Sequence, residues 1–175
     1  MRWEALFADL QAQWDAARRA EDEARVADLA EVEMGRTFLA DRLRARRNDT
    51  VTLRLSDGSE VAGLVLDAAP QWLLLRTGPR RCVVPVTAVA AAWPLGAVAP
   101  EPGPVERKLG VGHVLRAVAR EGAAVRIRSA GLEVRGRIVR VGADHLDVAP
   151  EPPASAGGAF VVSIAFGGLL VVESS

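Results

Sequence analysis

The sequence has no tyrosine, one cysteine, one lysine and two histidines among its 175 residues, and its 22 basic and 22 acidic side chains cancel. A lone Cys82, set in an apolar strand-like run, excludes an intramolecular disulfide framework and points to a reducing compartment. The cancelled charge excludes a bulk field that would draw the whole molecule to nucleic acid or an anionic membrane, so any anion binding has to come from a local patch. Nothing approaches the roughly 20 consecutive apolar residues that span a bilayer. The amino terminus, MRWEALFADLQAQWD, mixes charges into its first turns and lacks the apolar stretch of a secretory signal. The expectation is a cytoplasmic protein without membrane contact. No Cys/His spacing suits zinc, no Walker-type loop is present, and Gly110-Val111-Gly112 lacks the preceding strand and third glycine of a dinucleotide fingerprint. His113 and His145 lie in different contexts, and the adjacency of Asp144 and His145 does not by itself activate a nucleophile. No enzymatic activity, cofactor or metal is expected. Scarce lysine beside abundant arginine, alanine and valine is the composition expected of a GC-rich genome.

What the chain does have is repetition. Half of its residues are apolar and a quarter charged, enough to bury a core and long enough for two small domains. One strand-rich pattern runs from Val51 to Leu75 and on through CVVPVTAVAAAW from Cys82. It returns from Val125 to Val148 and in FVVSIAFGGLLVV from Phe160. Gly58, Glu60, Val61, Gly63 and Leu73 align with Gly131, Glu133, Val134, Gly136 and Leu146, with one length change in the first turn, read as a lengthening in the second copy. Asp57-Gly58 between alternating apolar residues is a strong hairpin signal. Gly63 inside the returning strand suggests a bend or bulge.

Four segments follow. Residues 1–35 form an amphipathic helix whose apolar positions, among them Trp3, Phe7, Leu10 and Trp14, recur at helical spacing. Residues 36–93 form a helix followed by a small barrel, and the Pro/Gly-rich stretch 94–104 is a linker. Residues 105–175 repeat the helix and barrel, with a long loop, APEPPASAGGA, between the third and fourth strands. The fold class expected is α+β, mostly β: an N-terminal amphipathic helical segment and two five-stranded small barrels, each preceded by a short helix.

The pattern V-x-L-x-x-x-D-G-x-x-V-x-G through Gly63, with Asp67 beyond it, resembles the Sm-like barrel of the Lsm and Hfq proteins over Arg36 to Trp93. SH3-like barrels share the same cues. The resemblance implies RNA contact through the loop Asp67 to Trp72 and the turn Val86-Thr87-Ala88. Pro85 removes a backbone donor from the fourth strand.

Arg126, Arg128, Arg135 and Arg137 would share the outer face of one hairpin, where guanidinium groups could hold phosphates. An amphipathic hairpin in an arginine-rich sequence explains the same spacing by solvation alone. Trp72 and His145 occupy matching positions and could stack on bases, while core packing explains the tryptophan equally well. Two readings result: non-enzymatic binding of RNA or another nucleic acid, or a scaffold or adaptor that contacts protein partners through Trp3, Phe7, Leu10 and Trp14 and through barrel edges. Free edges and the helical arm point to a homo-oligomer, with a dimer through the N-terminal helices the simplest form.

Overall fold

Val51, Leu53 and Leu55 are buried while Arg54 faces solvent, and that period of two makes β1 (Thr50–Leu55) a strand with one apolar face. A similar alternation runs through β2 (Glu60–Ala69) and β7 (Leu132–Val141). The computed structural model describes residues 16, 18–21, 23, 25, 35, 37–151 and 160–174. It divides into two units, Met1–Phe38 and Leu39–Ser175. In the first, the described residues 16, 18–21, 23 and 25 are helical; Trp3, Phe7, Leu10 and Trp14 lie outside the described residues.

The second unit contains α1 (Leu39–Arg44), α2 (Pro104–Lys108), α3 (Val111–Glu121) and the remaining strands β3 (Trp72–Thr77), β4 (Arg80–Pro85), β5 (Val89–Trp93), β6 (Val125–Ser129), β8 (His145–Pro150), β9 (Val162–Ala165) and β10 (Leu169–Ser174). The protein is mostly β, as expected, but the two expected five-stranded barrels, each preceded by a helix, do not form. All ten strands form one open antiparallel sheet, in the order β5-β1-β2-β3-β4-β10-β6-β7-β8-β9. The halves merge where β4 pairs with β10, Val83 opposite Val172 and Cys82 opposite Glu173. Pro85 lies beyond this pairing and does not obstruct it.

The physical reason is visible in the two seam strands. Cys82 to Pro85 and Leu169 to Val172 are buried without alternation. A strand that is apolar on both faces needs cover on both. Cys82 and Val84 enter one core with Val51, Leu53 and Leu73, and Val83 enters a second core with Ile127, Leu146 and Val148. Strand β10 divides likewise, with Leu170 and Val171 in the first core and Leu169 and Val172 in the second.

Within the merged sheet the repeat is kept register by register. Val51 faces Gly63 as Val125 faces Gly136, and Leu53 faces Ala92 as Ile127 faces Val172. Both halves shift register at the same place, between Val65 and Asp67 and between Ile138 and Arg140. Gly63 and Gly136 sit where the third strand presses closest, since a Cβ on Gly63 would lie 2.6 Å from the Arg76 carbonyl oxygen and one on Gly136 would overlap that of Ala149. Arg54 pairs with Glu60 and its counterpart Arg128 with Glu133, so the second hairpin turn is one residue shorter, not longer as the alignment suggested.

The helices are also shorter than their periodicity implied. Among the described residues of the run 36–47 the helix covers Leu39–Arg44, and the run from Val105 to Arg120 is two helices, because Leu109 and Gly110 leave the helical backbone region. The Pro/Gly stretch is tied to the first half: Ala99 N donates to the Asp41 carbonyl at 3.0 Å and Arg44 Nη1 to the Pro100 carbonyl at 2.9 Å. No helix among the described residues is long and apolar enough to cross a membrane.

Candidate nucleic-acid interface

Helix α3 buries Val111 and Leu115 and packs on β7, which turns His113, Arg116 and Arg120 outward along one side at spacings of three and four. Its first turn starts at Gly110 without a side-chain cap. In front of that end lies a cleft of about 540 Å³. Its walls come from matching places in the two halves: Pro70 and Gln71 from the turn after β2 and Ala143 from the turn after β7, Val86 and Thr87 after β4 and Phe166 and Gly167 after β9. Lys108 and Arg116 supply its cations, His113 adds an imidazole, and no carboxylate among the described residues lines it.

The cationic surface continues past the cleft. His113, Arg116, Arg120 and Arg140 border a second depression of about 610 Å³, again without a lining carboxylate among the described residues. Arg116 Nη2 makes only a 3.4 Å contact with the Gly142 carbonyl, and Arg120 Nε donates to the Arg116 carbonyl at 3.2 Å. Arg140 Nε stands 3.8 Å from Asp147 Oδ2. Lys108, Arg116 and Arg120 form no ion pair with a described carboxylate, so their charge is directed at solvent. The Phe166 ring lies 3.5 Å from where a Cβ on Gly112 would stand, which makes that glycine a place of close approach. An aromatic edge, an imidazole, amide and hydroxyl groups and two cations around one open cleft suit a flat, phosphate-bearing ligand.

The sequence matches no known protein-family model and no curated protein. What the site can do therefore has to be read from its own groups.

The arginine hairpin does share one outer face, but its charge is met from within. Arg126 grips Glu133 through two hydrogen bonds, Nε to Oε1 at 2.8 Å and Nη2 to Oε2 at 2.7 Å, and this pairing holds the Glu133 carboxyl below its ordinary range. Arg137 Nε donates to Glu151 Oε1 at 2.7 Å. Arg128 Nη1 donates to Ser59 Oγ at 2.9 Å and lies 3.7 Å from Asp57 Oδ2, a carboxylate lowered chiefly by its hydrogen bond from the Ser59 hydroxyl. Arg135 stands opposite Arg126 across the ladder, and both border a narrower depression of about 220 Å³ with Arg80 and Glu173.

Trp72 is 5% exposed, and its Nε1 donates to the Leu109 carbonyl at 2.8 Å, pinning the helix break to the sheet. Its rings are core and offer no face to a base. His145 is half-buried against Gly142, with Nδ1 2.8 Å from Asp144 Oδ1, and it keeps the Asp144 carboxyl below its usual range. Sequence reading passed over Lys108, His113, Arg116, Arg120, Arg140 and Phe166. Their signal was there in part, since three basic residues recur at helical spacing in a run treated only as a preface to the second barrel.

Proposed function

We propose that this chain binds single-stranded nucleic acid, RNA foremost, along a track from the cleft at Lys108, His113 and Arg116 past Arg120 to Arg140. The observation that carries the reading is the uncompensated cationic lining of a cleft that also offers Phe166, Gln71 and Thr87. Backbone phosphates are held by cations, while the open ends of the bases are met by aromatic and amide groups. The part of the Sm resemblance that bears on this is the position of the loops. Pro70, Gln71, Val86 and Thr87, which fall in the two segments that resemblance marks for RNA contact, line the cleft. The arginine hairpin is secondary here, because Glu133, Glu151 and Asp57 already answer its charge.

The test is fluorescence anisotropy with a labelled single-stranded oligoribonucleotide across a salt series. Replacing Lys108, Arg116 and Arg120 together by alanine is expected to weaken binding at least tenfold and to flatten the salt slope by about 0.7 per lost phosphate contact. Replacing Arg126, Arg128, Arg135 and Arg137 is expected to cost much less. No binding by the native chain at low salt, or equal loss in both variants, would overturn the proposal.

A further inference from the structure

Strand β7 carries a bulge beside the cationic side of α3. Ile138 faces Val148 and Arg140 faces Asp147, so Val139 is an extra residue with no place in the ladder. An unbroken strand would turn Val139 and Arg140 to opposite faces. Here both are exposed, Val139 at 57%. Val139 thereby joins Ala119, Ile138 and Val141 in lining the depression of about 610 Å³ that Arg116, Arg120 and Arg140 border. Apolar side chains and guanidinium groups share one hollow.

The first half has the same bulge and does not leave it open. Val65 faces Leu75 and Asp67 faces Leu74, so Leu66 is its extra residue. Leu66 is half-buried, and Asp67, which stands where Arg140 stands, is paired with Arg47 at 3.0 Å. Arg140 has only the 3.8 Å approach of Asp147. The repeated backbone therefore does not by itself dictate an exposed apolar residue beside an outward cation; the second half alone has that combination. The hollow also adjoins the cleft at the start of α3, because His113 and Arg116 line both. At about 540 and 610 Å³ each is of the size that holds a small ligand.

We propose that the cleft and this depression are adjoining subsites for two successive nucleotides of one strand, and that Arg116, with His113 beside it, holds the phosphodiester between them. The proposal rests on the nucleic-acid reading above and narrows it, since the smallest ligand that fills the site is a dinucleotide. The base in the cleft meets Phe166, Gln71 and Thr87, which can stack on it and exchange hydrogen bonds with its edge. The base in the depression lies against Val139. The apolar side chains there offer it no hydrogen bond, so that subsite takes any base. Arg120 stands one turn beyond Arg116, a rise of about 6 Å, in place for the next phosphate along the strand.

The experiment uses the full-length chain and a labelled single-stranded oligoribonucleotide at low salt, displaced by a nucleoside 3′,5′-bisphosphate or by a 5′-phosphorylated dinucleotide. Both competitors carry two phosphates, and only the dinucleotide carries a second base. The dinucleotide is expected to compete at a concentration about tenfold lower, the order of gain that one packed base gives. In Val139→Asn, an exposed position where the circular dichroism should not change, that advantage is expected to fall to about threefold or less while the bisphosphate competes as before. Equal competition by the two in the native chain, or an advantage undiminished in Val139→Asn, would overturn this proposal and leave the nucleic-acid reading standing. Failure of the labelled strand to bind at all would overturn both.

Discussion

Arg44 holds Glu106 through two parallel hydrogen bonds, Nε to Oε1 at 3.1 Å and Nη2 to Oε2 at 2.9 Å, joining α1 to α2 across the Pro/Gly stretch. Arg44 is 7% exposed and also donates to Asp41 Oδ1 at 3.0 Å, while Arg47 adds a 3.1 Å contact to Glu106. The guanidinium of Arg44 keeps the Glu106 carboxyl below the ordinary glutamate range. Glu106→Gln is expected to lower unfolding free energy at neutral pH by roughly 1.5–3 kcal/mol, as for loss of hydrogen bonds to a charged group. A carboxyl whose folded pKa is depressed stabilises above its unfolded pKa, and that share is lost as pH falls through the folded value. The gap between native and variant is therefore full at neutral pH and shrinks in acid, below about pH 4.3 where an unfolded glutamate protonates. Urea titrations at several pH values measure it; a gap that does not change with pH would contradict the assignment.

The matched glycines make a graded prediction. Alanine at position 63 meets the Arg76 carbonyl oxygen at 2.6 Å, and alanine at 136 overlaps the Ala149 carbonyl oxygen outright. In both cases the obstacle is backbone of the neighbouring strand, which cannot swing aside. Gly63→Ala is expected to cost about 1–3 kcal/mol, the range for overpacking, and Gly136→Ala more than Gly63→Ala. Chemical denaturation of the two variants sets the order, and a stable Gly136→Ala protein would show that β7 and β8 are less tightly pressed than described.

Cys82 reports on the seam. Burial pushes its thiol pKa up, and it lies 2% exposed opposite Glu173. The thiolate is the reactive form, so an aromatic disulfide reagent is expected to modify Cys82 only as the β4–β10 pairing opens. The rate should rise in denaturant in step with unfolding. Rapid modification of the native chain would mean that the seam opens on its own.

Much of the strand pattern is legible in the sequence. Val51, Leu53 and Leu55 alternate, Asp57-Gly58 marks its turn, and Gly63 and Gly136 announce a close approach through the absence of a side chain. The merging of the halves was not read, although Cys82-Val83-Val84 and Leu169 to Val172 carried the sign of it in unbroken apolar runs. Alternation reports that a strand is covered and never names the strand that covers it. The pairing of the hairpin arginines is not legible in the sequence for a related reason. Spacing located the arginines of the hairpin correctly, but Glu151 and Asp57, which neutralise Arg137 and Arg128, reach them from other strands and turns. The cleft was hidden because its residues arrive from four separate turns and a helix.

The pairing of β4 with β10 spans only two register positions, yet the cores on either side are interlocked, because β10 sends Leu170 and Val171 into the half that precedes it. Cutting the chain between the halves would strip the N-terminal piece of part of its own interior. The duplicated design thus behaves as a single thermodynamic body: heating should melt both halves in one calorimetric transition, and neither fragment should hold its shape alone.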